Sequence, residues 1–456
     1  MSRPAPESGG SKKLFFTLAV AVVAVVAFFI WVRRDVSSPP SAGAGPDPVS
    51  SGESGGAGER RVSSRSPQLD RGFRPGLSEE ALARANAEVK DRLVQYSQRQ
   101  RAVLHAYARH LGVPVLQDVD QFFTSLESGN VEEAVRRAER LDALRNVQQG
   151  SSAPGLDALW PVVEEARGVA EATRNWPAPA LLEFGRALQD SLGPNTVLLA
   201  GGDAARFVPT LMENNGEGDG RLILAQSSFA DGMYMNYARF QAGERLHLPD
   251  PGEVEQAFQA VVREHGKPDA NGVVMVGGQD AVTAINEKLV AFLQAKNPEV
   301  RFAVQESHAM PSTHAGAELA GPLMVLGAGG DGKAPKVGPE EAARSVTYWQ
   351  QTAERLRLDP ALSTAPAVRE GWAEMAIGQA SVLASADRRT EAETLYRAAA
   401  ELAPDSGQAA HRLAQWLASS GRAGEAIQIL QTYVSTHPDN AQAVVAWMES
   451  IRSGKK

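Results

Sequence analysis

The chain has no cysteine. That excludes disulfides, thiol nucleophiles, cysteine zinc sites and lipid attachment through a thiol. It leaves the compartment open, because an exported protein can dispense with thiols. A basic surplus is also missing: 46 lysines and arginines stand against 54 aspartates and glutamates. Nucleic-acid binding wants cations clustered on one face, so no nucleic-acid partner is expected. Metal-ligand spacing is absent too. His308 and His314 are loosely spaced and short of carboxylate company, which makes them loop histidines rather than a metal pair.

Long apolar runs are scarce, and the one that stands out is Leu14 to Val32, nineteen residues without a charge. As a helix it spans roughly 28 Å, close to the hydrocarbon thickness of a bilayer. Lys12, Lys13, Arg33 and Arg34 flank it, and Trp31 sits at an interfacial position. A cleaved signal peptide is the competing reading, but its apolar core runs to about 7–15 residues. The sequence therefore predicts a cytoplasmic N-terminal tail (1–13), a transmembrane anchor (14–32) in the plasma membrane, and a soluble part outside the cytoplasm. Residues 33–77 contain the Ser-, Gly- and Pro-rich stretch Ser37 to Arg74. Such a composition cannot bury enough surface to order itself, and it reads as a tether.

Order resumes at Ser78, placed as the N-cap of a long helix ending near Gly112 and Pro114. Further helices follow over Val119–Leu126, Val131–Leu144, Leu156–Ala172 and Leu181–Leu192. This helical region (78–192) shows no chemistry. From Asn195 short apolar runs alternate with helical segments: 196–200, 221–225, 272–276, 301–304 and 322–326. The alternation predicts an α/β domain (193–335), a Rossmann-like, mainly parallel sheet in a three-layer arrangement. Connecting helices (336–371) lead to C-terminal tetratricopeptide-type repeats (372–456). Ala392, Tyr396, Ala399 and Pro404 fit the second helix of one repeat, and Ala426, Leu430, Tyr433 and Pro438 stand 34 residues on.

In an open parallel sheet, ligands bind beyond the carboxyl ends of the strands. The polar residues there include Asp203, Arg206, Asp231 and Glu306. The turns at Gly201-Gly202 and Gly277-Gly278 would let helix N–H groups hold an anion. Equally, they serve any strand-to-helix turn with an aspartate as cap. Neither turn is a G-x-G-x-x-G fingerprint or a phosphate loop with its lysine, and no cofactor is expected. Tyr234 and Tyr237 line a pocket or form one buried helix face. Ser227 and Ser228 lack the G-x-S-x-G context of a nucleophile.

Several segments carry a resemblance: Gly201-Gly-Asp-Ala-Ala-Arg206-Phe-Val-Pro-Thr-Leu-Met, Ala230-Asp-Gly-Met-Tyr234, Leu246-His-Leu-Pro249, Ala284-Ile-Asn286-Glu-Lys-Leu, Val304-Gln-Glu306-Ser and Tyr348-Trp349. From about Leu181 onward the chain resembles the soluble tail of a bacterial group of membrane proteins. The group comprises multi-spanning relatives of protein O-mannosyltransferases and their single-anchor cousins, ending in tetratricopeptide repeats. The first motif departs from the group in reading Asp-Ala-Ala after its glycines, and His-Ala-Met-Pro follows Ser307 where aromatics are expected. The resemblance implies a ligand site around Asp203, Arg206, Asp231, Tyr234, Asn286 and Glu306. The functional expectation is a membrane-tethered, non-enzymatic scaffold with a protein or peptide partner. Its alternative is an enzyme or sensor for a sugar-like or anionic molecule at the strand ends, linked to cell-envelope glycosylation.

Overall fold

The computed structural model describes residues 78–453 apart from 148–153, 194, 214–220, 230, 269–273, 276–278, 306–316, 328–336 and 360–364. All of them belong to the unit Gly76–Lys456. The expected anchor and tether lie outside the described residues. Among those described, no helix is long and apolar enough to cross a membrane.

Five helices come first: α1 (Glu79–Leu111), α2 (Gln117–Glu127), α3 (Val131–Val147), α4 (Pro154–Asn175) and α5 (Ala178–Ser191). Ser78 starts α1, its hydroxyl oxygen accepting from the Ala81 N–H at 3.2 Å. A cap of this kind contributes about 1 kcal/mol. Gly112 stops the helix at φ +67°, a left-handed conformation that only glycine takes without strain. One face of α1 buries Val89, Leu93, Tyr96, Gln100, Leu104 and Tyr107 at helical spacing. Helix α4 is the hub of this region and packs on both α1 and α3. Its Leu156, Leu159, Val162, Val163, Ala166, Val169 and Ala170 are all within 2% of full burial.

The chain then enters a sheet through β1 (Thr196–Ala200), followed by α6 (Asp203–Met212) and β2 (Ile223–Ala225). Helices α7 (Gly232–Ala242) and α8 (Pro251–His265) follow, then β3 (Lys267–Pro268), β4 (Val274–Met275) and α9 (Gln279–Lys296). Strands β5 (Arg301–Val304), β6 (Glu318–Ala320) and β7 (Leu323–Leu326) close the series. Helix α8 opens with a capping box: Asp250 accepts from the Glu253 N–H, and Glu253 accepts from the Asp250 N–H. Gly168 on α4 gives room to α6, since a Cβ there would stand 2.3 Å from the Phe207 ring.

The sheet order is β2-β1-β5-β7-β6. Strand β1 pairs in parallel with β2 and β5, whereas β7 runs antiparallel to both β5 and β6. The mainly parallel, three-layer Rossmann-like expectation is thus corrected to a small mixed sheet in a mostly helical protein. The runs at 196–200, 223–225 and 301–304 form the parallel part. The run at 322–326 is a strand of opposite direction, paired through a two-residue turn with β6, which the sequence did not suggest. The run at 272–276 contributes β4, which pairs with β3 in a separate two-stranded sheet. A short apolar run reports burial on both faces and says nothing of direction or partner.

Six helices complete the unit: α10 (Pro339–Arg357), α11 (Pro366–Ser385), α12 (Arg389–Leu402), α13 (Gly407–Ser419), α14 (Ala423–Thr436) and α15 (Ala441–Ser453). Helices α11/α12 and α13/α14 form two antiparallel pairs, with the 34-residue positions on their shared faces. Ala392, Ala399, Ala426 and Leu430 are wholly buried there. The turns between paired helices repeat the same backbone: Asp387 has φ +58° and Gly421, one repeat on, has φ +80°. Helices α12 and α14 are tied by a four-charge cluster, in which Arg397 and Arg422 each bridge Glu393 and Glu425. Helix α15 joins through Trp447, stacked on His411 at 4.0 Å and 16°.

Two features fasten the repeats, one to the sheet and one to the helical region. The first is Gln379 of α11, which is wholly buried. Its amide nitrogen donates to the carbonyls of Gly321 and Leu323 at 2.7 and 3.0 Å, at the β6–β7 turn. Its amide oxygen accepts from Ser345 and Trp349 of α10 at 2.7 and 2.9 Å. The second is a ladder of edge-to-face rings, Trp349–Trp372–Phe184–Trp176, with successive centroids 6.3, 5.2 and 5.0 Å apart. It runs from α10 through α11 and α5 to the end of α4, and such pairs contribute about 0.5–1.5 kcal/mol each beyond their burial. Gln379→Leu strands three buried polar groups, the Leu323 carbonyl, the Ser345 hydroxyl and the Trp349 N–H, so a loss of about 3 kcal/mol or more is expected in denaturant unfolding. A variant as stable as the parent would show that these hydrogen bonds are replaceable.

Candidate ligand site

Helix α6 leaves β1 through the Gly201-Gly202 turn. Gly202 holds the cap position with no capping side chain, and Asp203 is the first helical residue, exposed to solvent. Asp203 therefore supports α6 through the helix dipole rather than by capping it. Asp231 does cap: its carboxylate accepts from the Met233 and Tyr234 N–H groups at 2.8 and 3.3 Å. Tyr234 and Tyr237 both point into the core, and the Tyr234 hydroxyl accepts from the Ala225 N–H at 2.6 Å. That bond ties the first turn of α7 to the end of β2.

One turn beyond Asp203, Arg206 is only 3% exposed. Its guanidinium lies over the rings of Phe207 and Tyr234, 4.9 and 5.3 Å from their centroids. Among the described residues, neither of its terminal nitrogens has a hydrogen-bond partner. Burial opposes the charge, but Tyr234 and the carboxylates of Glu165, Glu164 and Asp203 outweigh it and hold its pKa above the ordinary arginine value. Of the residues proposed from sequence, the structure thus brings together Arg206 and Tyr234, with Asp203 in the field of the first. Asn286 is half-buried on α9, and no described contact joins it to them. Glu306 lies outside the described residues. Its neighbour Gln305 is buried at the carboxyl end of β5. A Cβ on Gly202 would stand 3.5 Å from both the Gln305 amide nitrogen and a Glu374 carboxylate oxygen. The ends of β1 and β5, where successive connections depart to opposite sides of β1, therefore meet helix α11.

The helical region supplies residues that the sequence did not announce. The Gln100 amide nitrogen donates to the Glu165 carboxylate at 2.9 Å and to the Tyr237 hydroxyl at 2.8 Å. Glu165 is buried, and burial raises its pKa, although Arg206 and the hydrogen bonds from Gln100 and Tyr237 pull the other way. Tyr96 is buried beside them, its hydroxyl without a partner among the described residues. Burial, helped by the charge on Glu165, pushes that hydroxyl well above the usual tyrosine range.

Tyr96, Gln100 and Glu165 form part of the wall of a cavity of about 470 Å³. Thr210, Glu213 and Arg221 close it from α6 and the approach to β2, with Arg99 and Arg245 also lining it. The cavity thus lies toward the amino end of β2, away from the strand-end crevice. Burial pushes the Glu213 carboxyl up to about 8, reinforced by Glu165 and opposed by Arg99, Arg221 and Arg245.

A helical protein with a small mixed sheet and stacked C-terminal helix pairs is the class that this geometry defines. Within it, residues 383–448 match the tetratricopeptide repeat family. No curated protein and no solved structure matches the chain.

The Glu213 shift has a measurable consequence. A carboxyl raised from its ordinary 4.5 to about 8 keeps its proton in the folded state where the unfolded chain releases it. Its stabilising contribution is fully present below the unfolded value and is lost as pH rises through the folded one. Glu213→Gln should therefore lose less stability than the parent between about pH 5 and about pH 8.5. Equal losses in thermal unfolding would remove this carboxyl from the account.

Proposed function

We propose that the protein is a membrane-tethered scaffold that offers its tetratricopeptide repeats to a protein or peptide partner. The observation that carries this reading is the 34-residue register, realised as stacked helix pairs over the segment that matches the repeat family. Such stacks generally mediate protein–protein interaction through extended helical surfaces. Fixing the pairs to the sheet through Gln379 adds rigidity, and a surface ordered in advance loses less entropy on binding.

The test uses the full-length chain in its native membrane. Photo-crosslinking residues are placed at exposed repeat positions, Gln415, Val445 and Glu449, and at Arg84 of α1 as a control. The reading expects one protein adduct that forms from the repeat positions and not from Arg84. Adducts of equal yield at all four positions, or none at the repeats, would reject it.

Tethering rests on the uncharged run Leu14–Val32 and its basic flanks. With Arg3, Lys12 and Lys13 retained in the cytoplasm, the soluble unit stands on the outer side of the plasma membrane. Protease added to intact spheroplasts should then digest the unit 76–456. Protection until lysis would reverse the orientation, and recovery of the full-length chain in the soluble fraction would dismiss the anchor.

A further inference from the structure

We draw no further inference here: the strongest candidate, the surface patch of α13 and α15 where Gln415, Val445 and Glu449 stand exposed and the His411–Trp447 stack joins the two helices, belongs to the repeat surface already proposed to meet a partner, and nothing in the structure shows what covers it.

Discussion

The side chain of Gln379 can make four hydrogen bonds, and all four are made where three parts of the chain meet. Two go to carbonyls at the β6–β7 turn and two come from α10, while the residue itself belongs to the first helix of the repeats. A leucine-like side chain would pack there and leave the orientation loose. A buried amide with four partners tolerates only one arrangement, because three of the displaced bonds would leave a group that water cannot reach. The turn it grips is equally constrained: Gly321 sits at φ +55°, and a Cβ there would stand 2.4 Å from the Ser191 hydroxyl. The register of α11 on the sheet, and with it the direction of every later helix, follows from this contact.

Arg206 and Glu165 represent the opposite use of buried polarity. The arginine is held by two ring faces and longer-range charge, its terminal nitrogens without a partner among the described residues, and the glutamate by an amide and a hydroxyl. Replacing a buried charged group by a packed apolar one is often neutral or stabilising. Retaining such groups next to a cavity is therefore hard to explain as a device for stability. The same elements position both features: α1 and α4 carry Tyr96, Gln100 and Glu165, α6 carries Arg206 and Thr210, and α7 closes the cluster with its tyrosines. Chemistry and framework are separate: the helical region, α6, α7 and the approach to β2 line the cavity, and no residue of the repeat helices is among the described residues that do.

How much of this was legible in the sequence depends on how local each signal is. The repeats were readable because Ala392/Ala426 and Pro404/Pro438 stand one period apart, and a stacked pair needs small residues at the same place in each turn of the pattern. Helix ends were readable where a single residue decides them, as at Ser78 and Gly112. Strand direction was not, since 322–326 reads as apolar whichever way it runs. Asp231 announced a cap and is one, whereas Asp203 stands one position inside its helix. The buried cluster left only a faint trace: Gln100 falls in the stripe Leu93, Tyr96, Leu104, Tyr107, and Glu165 lies between Val163 and Ala166. A polar residue at an apolar position of a helical stripe is a usable signal. That the two belong together becomes visible only when α1 and α4 cross, which neither segment encodes alone.

The attachment of α11 has a consequence for how this array of helix pairs can change. In a free-standing solenoid the first repeat needs a polar outer face, because nothing covers it. Here the outer face of α11 is spent on the sheet, on α10 and on the ring ladder through Trp372, so the sheet itself acts as the end cap. A duplicated pair inserted ahead of α11 would have to reproduce Gln379 and Trp372 in the new first helix. One inserted between α12 and α13 would meet only the 34-residue faces that already repeat. Lengthening by duplication is thus open on one side of α12 and closed on the other.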